Sequence, residues 1–274
     1  MSNIYVCGDL HGNPNNIRNI INQIPNPTSD DFIIITGDAG FEYENYIMEQ
    51  AKKEAKKFPG TWIVMRGNHD SSYWMRHTNY ADFQEGFANR IIADNNWETF
   101  IYQDCGYLRQ IKYPNIWYTY DWGGIYTINQ YSILFCPGAY SIDKSFRLRS
   151  RYPYNPDEQL SPIEQQNLYN LVKNHNIDGL PIDFVIGHTF PRKIEPYLTY
   201  LFMDGVNQEN VDKTTENWLD TMAELYESNS AFKQYVGGHF HDTRVLTDKY
   251  TILYVDVVNL KDYEWEIIYE RTYS

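Results

Sequence analysis

The chain has 274 residues, 42 % hydrophobic and 16 % aromatic, enough to bury a sizeable core. Its net charge of −13 and pI near 4.9 argue against an extended basic surface for nucleic acid, which needs Lys and Arg to neutralise phosphates. Three cysteines, Cys7, Cys105 and Cys136, form no CxxC pair and suggest neither a disulfide framework nor a structural zinc cage.

The first predicted unit is a strand over residues 3–7, a Gly-rich turn carrying Asp9 and His11, and a helix with Pro14 in its first turn. Ile17, Ile20, Ile21 and Ile24 follow the i, i+3, i+4, i+7 spacing of one buried helix face. Residues 32–36 form an apolar run of the kind buried on both faces of a sheet, and it ends at Gly37-Asp38. A polar helix over 44–57 leads to a third strand over 61–65, which ends in Arg66-Gly67-Asn68-His69-Asp70. Three successive β-α steps thus place polar groups at strand carboxyl ends, where an α/β sheet has its crevice.

Residues 97–137 are richer in short Tyr- and Ile-containing strands, among them 131–135. Ser161-Pro162-Ile163-Glu164 reads as a capping box with proline at the first helical position. A buried strand over 183–186 ends at Gly187-His188, and a helix over 212–227 precedes a strand into Gly237-Gly238-His239-Phe240-His241. The tail is expected to be β: one strand over 251–257, then Tyr263, Trp265, Ile267 and Tyr269 alternating with Glu264, Glu266 and Glu270. No apolar run approaches the roughly 18 residues of a membrane span and no charged-then-apolar leader opens the chain, so a soluble, cytoplasmic protein is expected.

Five glycine-flanked motifs hold seven side chains able to bind metal: Asp9, His11, Asp38, Asn68, His188, His239 and His241. Five of the seven histidines lie in these motifs, leaving His77 and His175 to structure or solvent. Because the motifs run from residue 8 to residue 241, both halves of the chain must meet at one site, which favours a single domain over 1–274. Carboxylate, imidazole and amide oxygen donors suit Mn, Fe, Zn or Co. A bridging carboxylate can hold two such ions about 3.5–4 Å apart, where they clamp a phosphoryl oxygen and share an activated hydroxide for in-line attack. Asp38 is the natural bridge. Two divalent cations would also reverse the local potential inside an acidic protein.

The ordered set of Asp-x-His, Gly-Asp, Gly-Asn-His, a later Gly-His and a Gly-x-His resembles the calcineurin-like metallophosphoesterases, matched across residues 8–241. The resemblance implies an α/β fold, a four-layer αββα sandwich of two mixed sheets flanked by helices, and a site for two divalent ions, Mn first, with Fe, Zn, Co or Mg as alternatives. It implies that one ion takes Asp9, His11, Asp38 and His241 and the other Asp38, Asn68, His188 and His239. His69, with Asp70 beside it, is then the catalytic group, protonating the leaving oxygen. The family often orients this histidine with a carboxylate three residues after the bridging aspartate; here that position is Phe41, leaving Asp70 and Glu42 as candidate orienting groups. The Asp-Arg-Gly extension of the eukaryotic-type Ser/Thr protein phosphatases is absent, so the chain is placed outside that branch.

Residues 138–147, followed by Arg149, Arg151 and 155–159, are similar to a segment of bacterial and phage members of the family. Arg offers bidentate donors to phosphate, so Arg147 is the first choice for a substrate clamp, Arg149 the second and Arg66 a third; the bland alternative for the segment is a solvated charged loop. The expected reaction is hydrolysis of phosphate mono- or diesters, with a small phosphorylated molecule, a nucleotide or a phosphoprotein as substrate. The alternatives are a binding module that keeps the fold without the activity, or a nuclease that acts with a partner.

Overall fold

A computed structural model of the chain describes residues 2–42, 46–73, 96–150, 155–202 and 208–262. Its first sheet is built on parallel strands β1 (Ile4–Cys7), β2 (Phe32–Ile35) and β3 (Thr61–Val64). The hairpin of β4 (Trp97–Tyr102) and β5 (Cys105–Gln110) joins them through β6 (Ile116–Tyr118), which runs parallel to β3. The second sheet holds β7 (Gly124–Ile128), β8 (Tyr131–Cys136), β9 (Phe184–Gly187), β10 (Gln234–Gly237), β11 (Arg244–Thr247) and β12 (Tyr250–Ile252). A last strand, β13 (Val257–Asn259), returns to the first sheet and pairs antiparallel with β1.

Side-chain alternation along these strands creates the layers. Tyr5, Cys7, Ile33, Ile35, Trp62 and Val64 pack against helices α1 (Pro14–Gln23) and α2 (Tyr46–Ala55), which contribute Ile17, Ile20, Ala51 and Ala55. The alternate residues, Ile4, Val6, Phe32, Ile34 and Ile63, meet Ile133, Phe135, Phe184, Ile186 and Val236 of the second sheet. The far face of that sheet, with Leu134, Val185 and Tyr235, is covered by α4 (Pro162–Ile177) and α5 (Thr214–Glu227). Both faces of the central strands are therefore buried, which is why they read as unbroken apolar runs. The result is an αββα sandwich of two mixed sheets.

Local signals start α1 and α4. Asn13 caps α1 by accepting from Asn15 N at 2.9 Å, with Pro14 next. Ser161 and Glu164 form the reciprocal capping box of α4, with Ser161 N donating to Glu164 Oε2 at 2.8 Å.

The basic segment forms a short helix, α3 (Lys144–Ser150), in which Arg147 N donates to Asp143 O at 2.9 Å. One expectation needs correction. The single strand expected over 251–257 is split: β12 pairs with β10 in the second sheet, whereas β13 pairs with β1 in the first. Between them the chain crosses the gap, tied by Leu253 N to Gly237 O and by Gly8 N to Tyr254 O, both at 2.8 Å. An apolar run shows no difference between one strand and two; the available backbone partners decide. The alternating tail 263–269, His77, Arg151 and the first residues of the predicted second helix lie outside the described residues. No helix among the described residues is long and apolar enough to cross a membrane.

Candidate metal centre

The loops after β1, β2 and β3 of the first sheet and after β9 and β10 of the second meet at one rim. They hold one another through main-chain donors. Leu10 N and His11 N donate to Asp38 O at 3.1 and 2.8 Å. His69 N donates to Asp38 Oδ1 at 2.8 Å, and His239 N to Asp9 Oδ1 at 3.0 Å. Asp9 and Asp38 are 0 % and 1 % exposed. Such tight approach demands unusual backbone: of the eight non-glycine residues with positive φ among those described, four are His11, Asp38, His239 and His241. It also demands glycine. A Cβ on Gly67 would collide with the Asp38 carboxylate, and one on Gly238 with Asp9 Oδ1 and Thr36 Oγ1.

Two overlapping groups of donor atoms result. In the first, Asp9 Oδ2 lies 3.3 Å from His241 Nε2 and 3.9 Å from His11 Nε2, and the two imidazole nitrogens are 2.9 Å apart. In the second, His188 Nε2 lies 3.5 Å from Asp38 Oδ2 and 2.7 Å from Asn68 Oδ1, which is itself 3.2 Å from His239 Nδ1. Ligand atoms of Asp9, His11 and His241 lie within 4.8 Å of one another, as do those of Asp9, Asp38 and His188. Carboxylate and amide oxygens only accept, and a neutral imidazole has one donor, so with the imidazoles neutral the facing lone pairs outnumber the protons between them. A divalent cation fits the set, and N and O donors without sulfur suit Mn, Fe, Zn or Co. Behind the ligands, His188 Nδ1 is 2.9 Å from Thr36 O, and Asn68 Nδ2 donates to Ser141 Oγ at 2.7 Å.

The electrostatics agree with a cation site. Burial alone would raise the Asp38 carboxyl, but His188, His69 and His11 hold it well below the usual range. Burial disfavours charge on His188, yet the Asp38 carboxylate outweighs it and raises the imidazole to about 9. A metal ion would compete with that proton for the same lone pair.

His69 lies outside both groups. Its Nε2 is 3.8 Å from Asp38 Oδ2 and 3.5 Å from Arg147 Nη2. Burial, partly opposed by Asp38 and reinforced by Arg147, lowers its pKa. Arg147 stands on α3, its Nε donating to Asp143 Oδ2 at 2.6 Å.

The other expected site residues have different places. Asp70 does not orient His69: its carboxylate accepts from Gly40 N and Gly67 N at 3.1 Å and from Ala39 N at 3.3 Å, joining two ligand loops. Burial and the Asp38 charge push this carboxyl up to about 7. Glu42 accepts from Lys52 Nζ and Tyr118 OH, both at 2.8 Å, and Phe41 is fully buried. Arg66 is buried, not a clamp, and its guanidinium binds the carbonyl oxygens of Asp121 and Asp157. Arg149 is exposed and donates to Ser145 O at 3.1 Å. Of the three arginines, Arg147 reaches the cluster. His175 sits near the end of α4, 2.9 Å from Pro181 O.

Four supporting residues carried no assigned role in the sequence reading: Ser141, Asp143, Asn155, whose Nδ2 donates to Asp70 O at 2.6 Å, and Tyr254, whose ring stacks on His241 with centroids 4.8 Å apart. The first three belong to the segments that carry Arg147 and follow it, which was a usable signal. Tyr254 lies in the crossing between sheets and has no local signature.

Comparison with known proteins adds to this geometry. The sequence profile of the family described as calcineurin-like phosphoesterase matches residues 2–243, a span that includes all seven candidate ligands. Among solved structures, a phosphopantetheinyl hydrolase from Mycobacterium tuberculosis is similar at a TM-score of 0.42 and 13 % identity, over 98 % of this chain and 93 % of that one. No curated protein matches the sequence.

Proposed function

The chain belongs to the calcineurin-like phosphoesterase family, and we propose that it hydrolyses phosphate mono- or diesters at the rim where the two sheets meet. The observation that carries this reading is the pair of donor groups sharing Asp9, with His69 and Arg147 beside them. Asp9, His11, Asp38 and His241 would hold one divalent ion, and Asp38, Asn68, His188 and His239 the other, with manganese the first choice. When bound, such ions supply charge neutralisation for phosphoryl oxygens and acidify water near neutral pH.

The chain's own residues would do the rest. The guanidinium of Arg147, held by Asp143, donates to a phosphoryl oxygen and adds a cation in an acidic protein. His69 Nε2 faces the same space and passes its proton to the departing alkoxide. Burial keeps this ring short of charge, but an anionic phosphate beside it favours the protonated form, so substrate binding prepares the acid. Asp38 Oδ1 stays fixed on His69 N and Asp70 pins the adjoining loops, so the acceptor geometry is built before substrate arrives.

The test is hydrolysis of p-nitrophenyl phosphate and bis-p-nitrophenyl phosphate by chelator-stripped protein with Mn, Zn, Fe, Co or Mg restored singly. Metal-dependent turnover is expected, and the ratio of the two rates reports the monoester or diester bias. Two bound ions with no turnover on either ester would overturn the reading in favour of a binding role.

A further inference from the structure

Asn68 carries an acceptor oxygen and an NH₂ donor at the same end of its side chain, facing opposite ways. Its Oδ1 faces His188 Nε2 and His239 Nδ1, and its Nδ2 points away from them to Ser141 Oγ. Both residues are buried, Asn68 at 3 % exposed and Ser141 at 2 %. They come from different sheets: Asn68 follows β3, and Ser141 follows β8 on the segment that leads into α3 and Arg147.

An amide can bind a cation through oxygen alone, since its NH₂ offers donors. The opposite orientation would aim those donors at the position of the ion and leave it no oxygen lone pair. The ion-binding orientation therefore needs a buried acceptor for Nδ2, because an unmatched donor there carries its full desolvation cost. Ser141 Oγ is that acceptor.

We propose that Ser141 is a positioning residue that holds the Asn68 amide in its ion-binding orientation and so sets the affinity of the ion site formed by Asp38, Asn68, His188 and His239. The inference rests on the metal centre of the proposed function, but not on catalysis. Ser141 reaches the ion through Asn68 and leaves the Asp9, His11 and His241 group untouched.

The experiment is Mn²⁺ titration by calorimetry of stripped wild type, Ser141→Ala, Asn68→Ala and the double variant, with the thermal midpoint of each recorded in chelator. In Ser141→Ala one of two affinities is expected to weaken on the order of tenfold, the weight of one unpaired buried donor, while the other and the chelator midpoint hold. In the Asn68→Ala background Ser141→Ala is expected to add nothing, since there is no amide left to hold. An unchanged pair of affinities in Ser141→Ala, equal weakening of both, or a loss that persists in full beside Asn68→Ala would overturn the assignment. Two ions bound without ester hydrolysis would sink the proposed function and leave this inference standing, whereas wild type that binds fewer than two ions would overturn both.

Discussion

His188 Nδ1 lies 2.9 Å from the carbonyl oxygen of Thr36, across the gap between the two sheets. A proton on Nδ1 satisfies that carbonyl and makes Nε2, which faces Asp38 and Asn68, the nitrogen that an ion would take. The ring is thus oriented by main chain from the opposite sheet, one residue before the Gly37-Asp38 turn. A ligand held in this way costs little reorganisation when an ion binds, which makes the charge on its neighbour Asp38 the most direct thing to test.

Asp38→Asn removes the carboxylate proposed to bridge the two ions. Residues merely behind a metal ligand are worth about 10–100-fold in affinity, so the loss here should exceed that. Bound metal measured by mass spectrometry should fall well below the wild-type content. A fully loaded variant would remove Asp38 from the bridging role.

His69→Asn should keep its metal, because His69 lies outside both donor groups. Turnover should drop about 10²–10⁴-fold, the usual weight of a general acid. Equal turnover of variant and wild type would end the role assigned to it.

Arg147→Ala should lower kcat/KM for an anionic ester by roughly 10- to 150-fold, corresponding to about 1.5–3 kcal/mol for a charge-assisted hydrogen bond. Asp143→Asn should shift it in the same direction by less, since it loosens the guanidinium without deleting it. Steady-state kinetics with both variants settles the matter, and unaltered kcat/KM in Arg147→Ala would return the segment to a solvated surface.

Gly67→Ala puts a methyl group against the Asp38 carboxylate and main chain. Overpacking of this kind costs about 1–3 kcal/mol, to be read from urea midpoints. A midpoint equal to wild type would mean that the loops can part without penalty.

Asp31, 1 % exposed, accepts from Asn3 N at 2.7 Å and Thr28 N at 2.8 Å. Burial pushes its carboxyl up, but these donors more than offset that and leave it below the usual carboxylate range. A depressed folded pKa contributes stability fully present above the unfolded value of about 3.9 and lost as pH falls through the folded pKa. Asp31→Asn should therefore be less stable than wild type at pH 7, with the gap narrowing below about pH 4. Urea midpoints that differ by the same amount across this range would show that the charge is immaterial.

Much of the fold was legible because its signals are local. The isoleucine spacing of α1, the capping box of α4 and the apolar runs of β1, β2, β3 and β9 each reside within a few residues, and the structure places elements there. Local signals say less where a sequence neighbour is not a spatial one. Arg66 and Asp70 flank the Asn68-His69 pair in sequence, yet Arg66 turns inward to two carbonyls and Asp70 to three loop N–H groups. The strand expected over 251–257 failed for a related reason: hydrophobicity specifies burial but not which sheet edge receives the strand.

The residues able to bind metal, and their attachment to strand ends, could be read from sequence because glycine punctuation and strand patterning are short-range properties. Tertiary structure alone decided which atoms face one another. His188 meets Asn68 across 120 residues and His239 meets Asp9 across 230, while Ser141 and Thr36 complete the site from outside the five ligand motifs. Such contacts are set by how two sheets stack and where their loops converge, a long-range packing outcome that no local pattern of residues encodes.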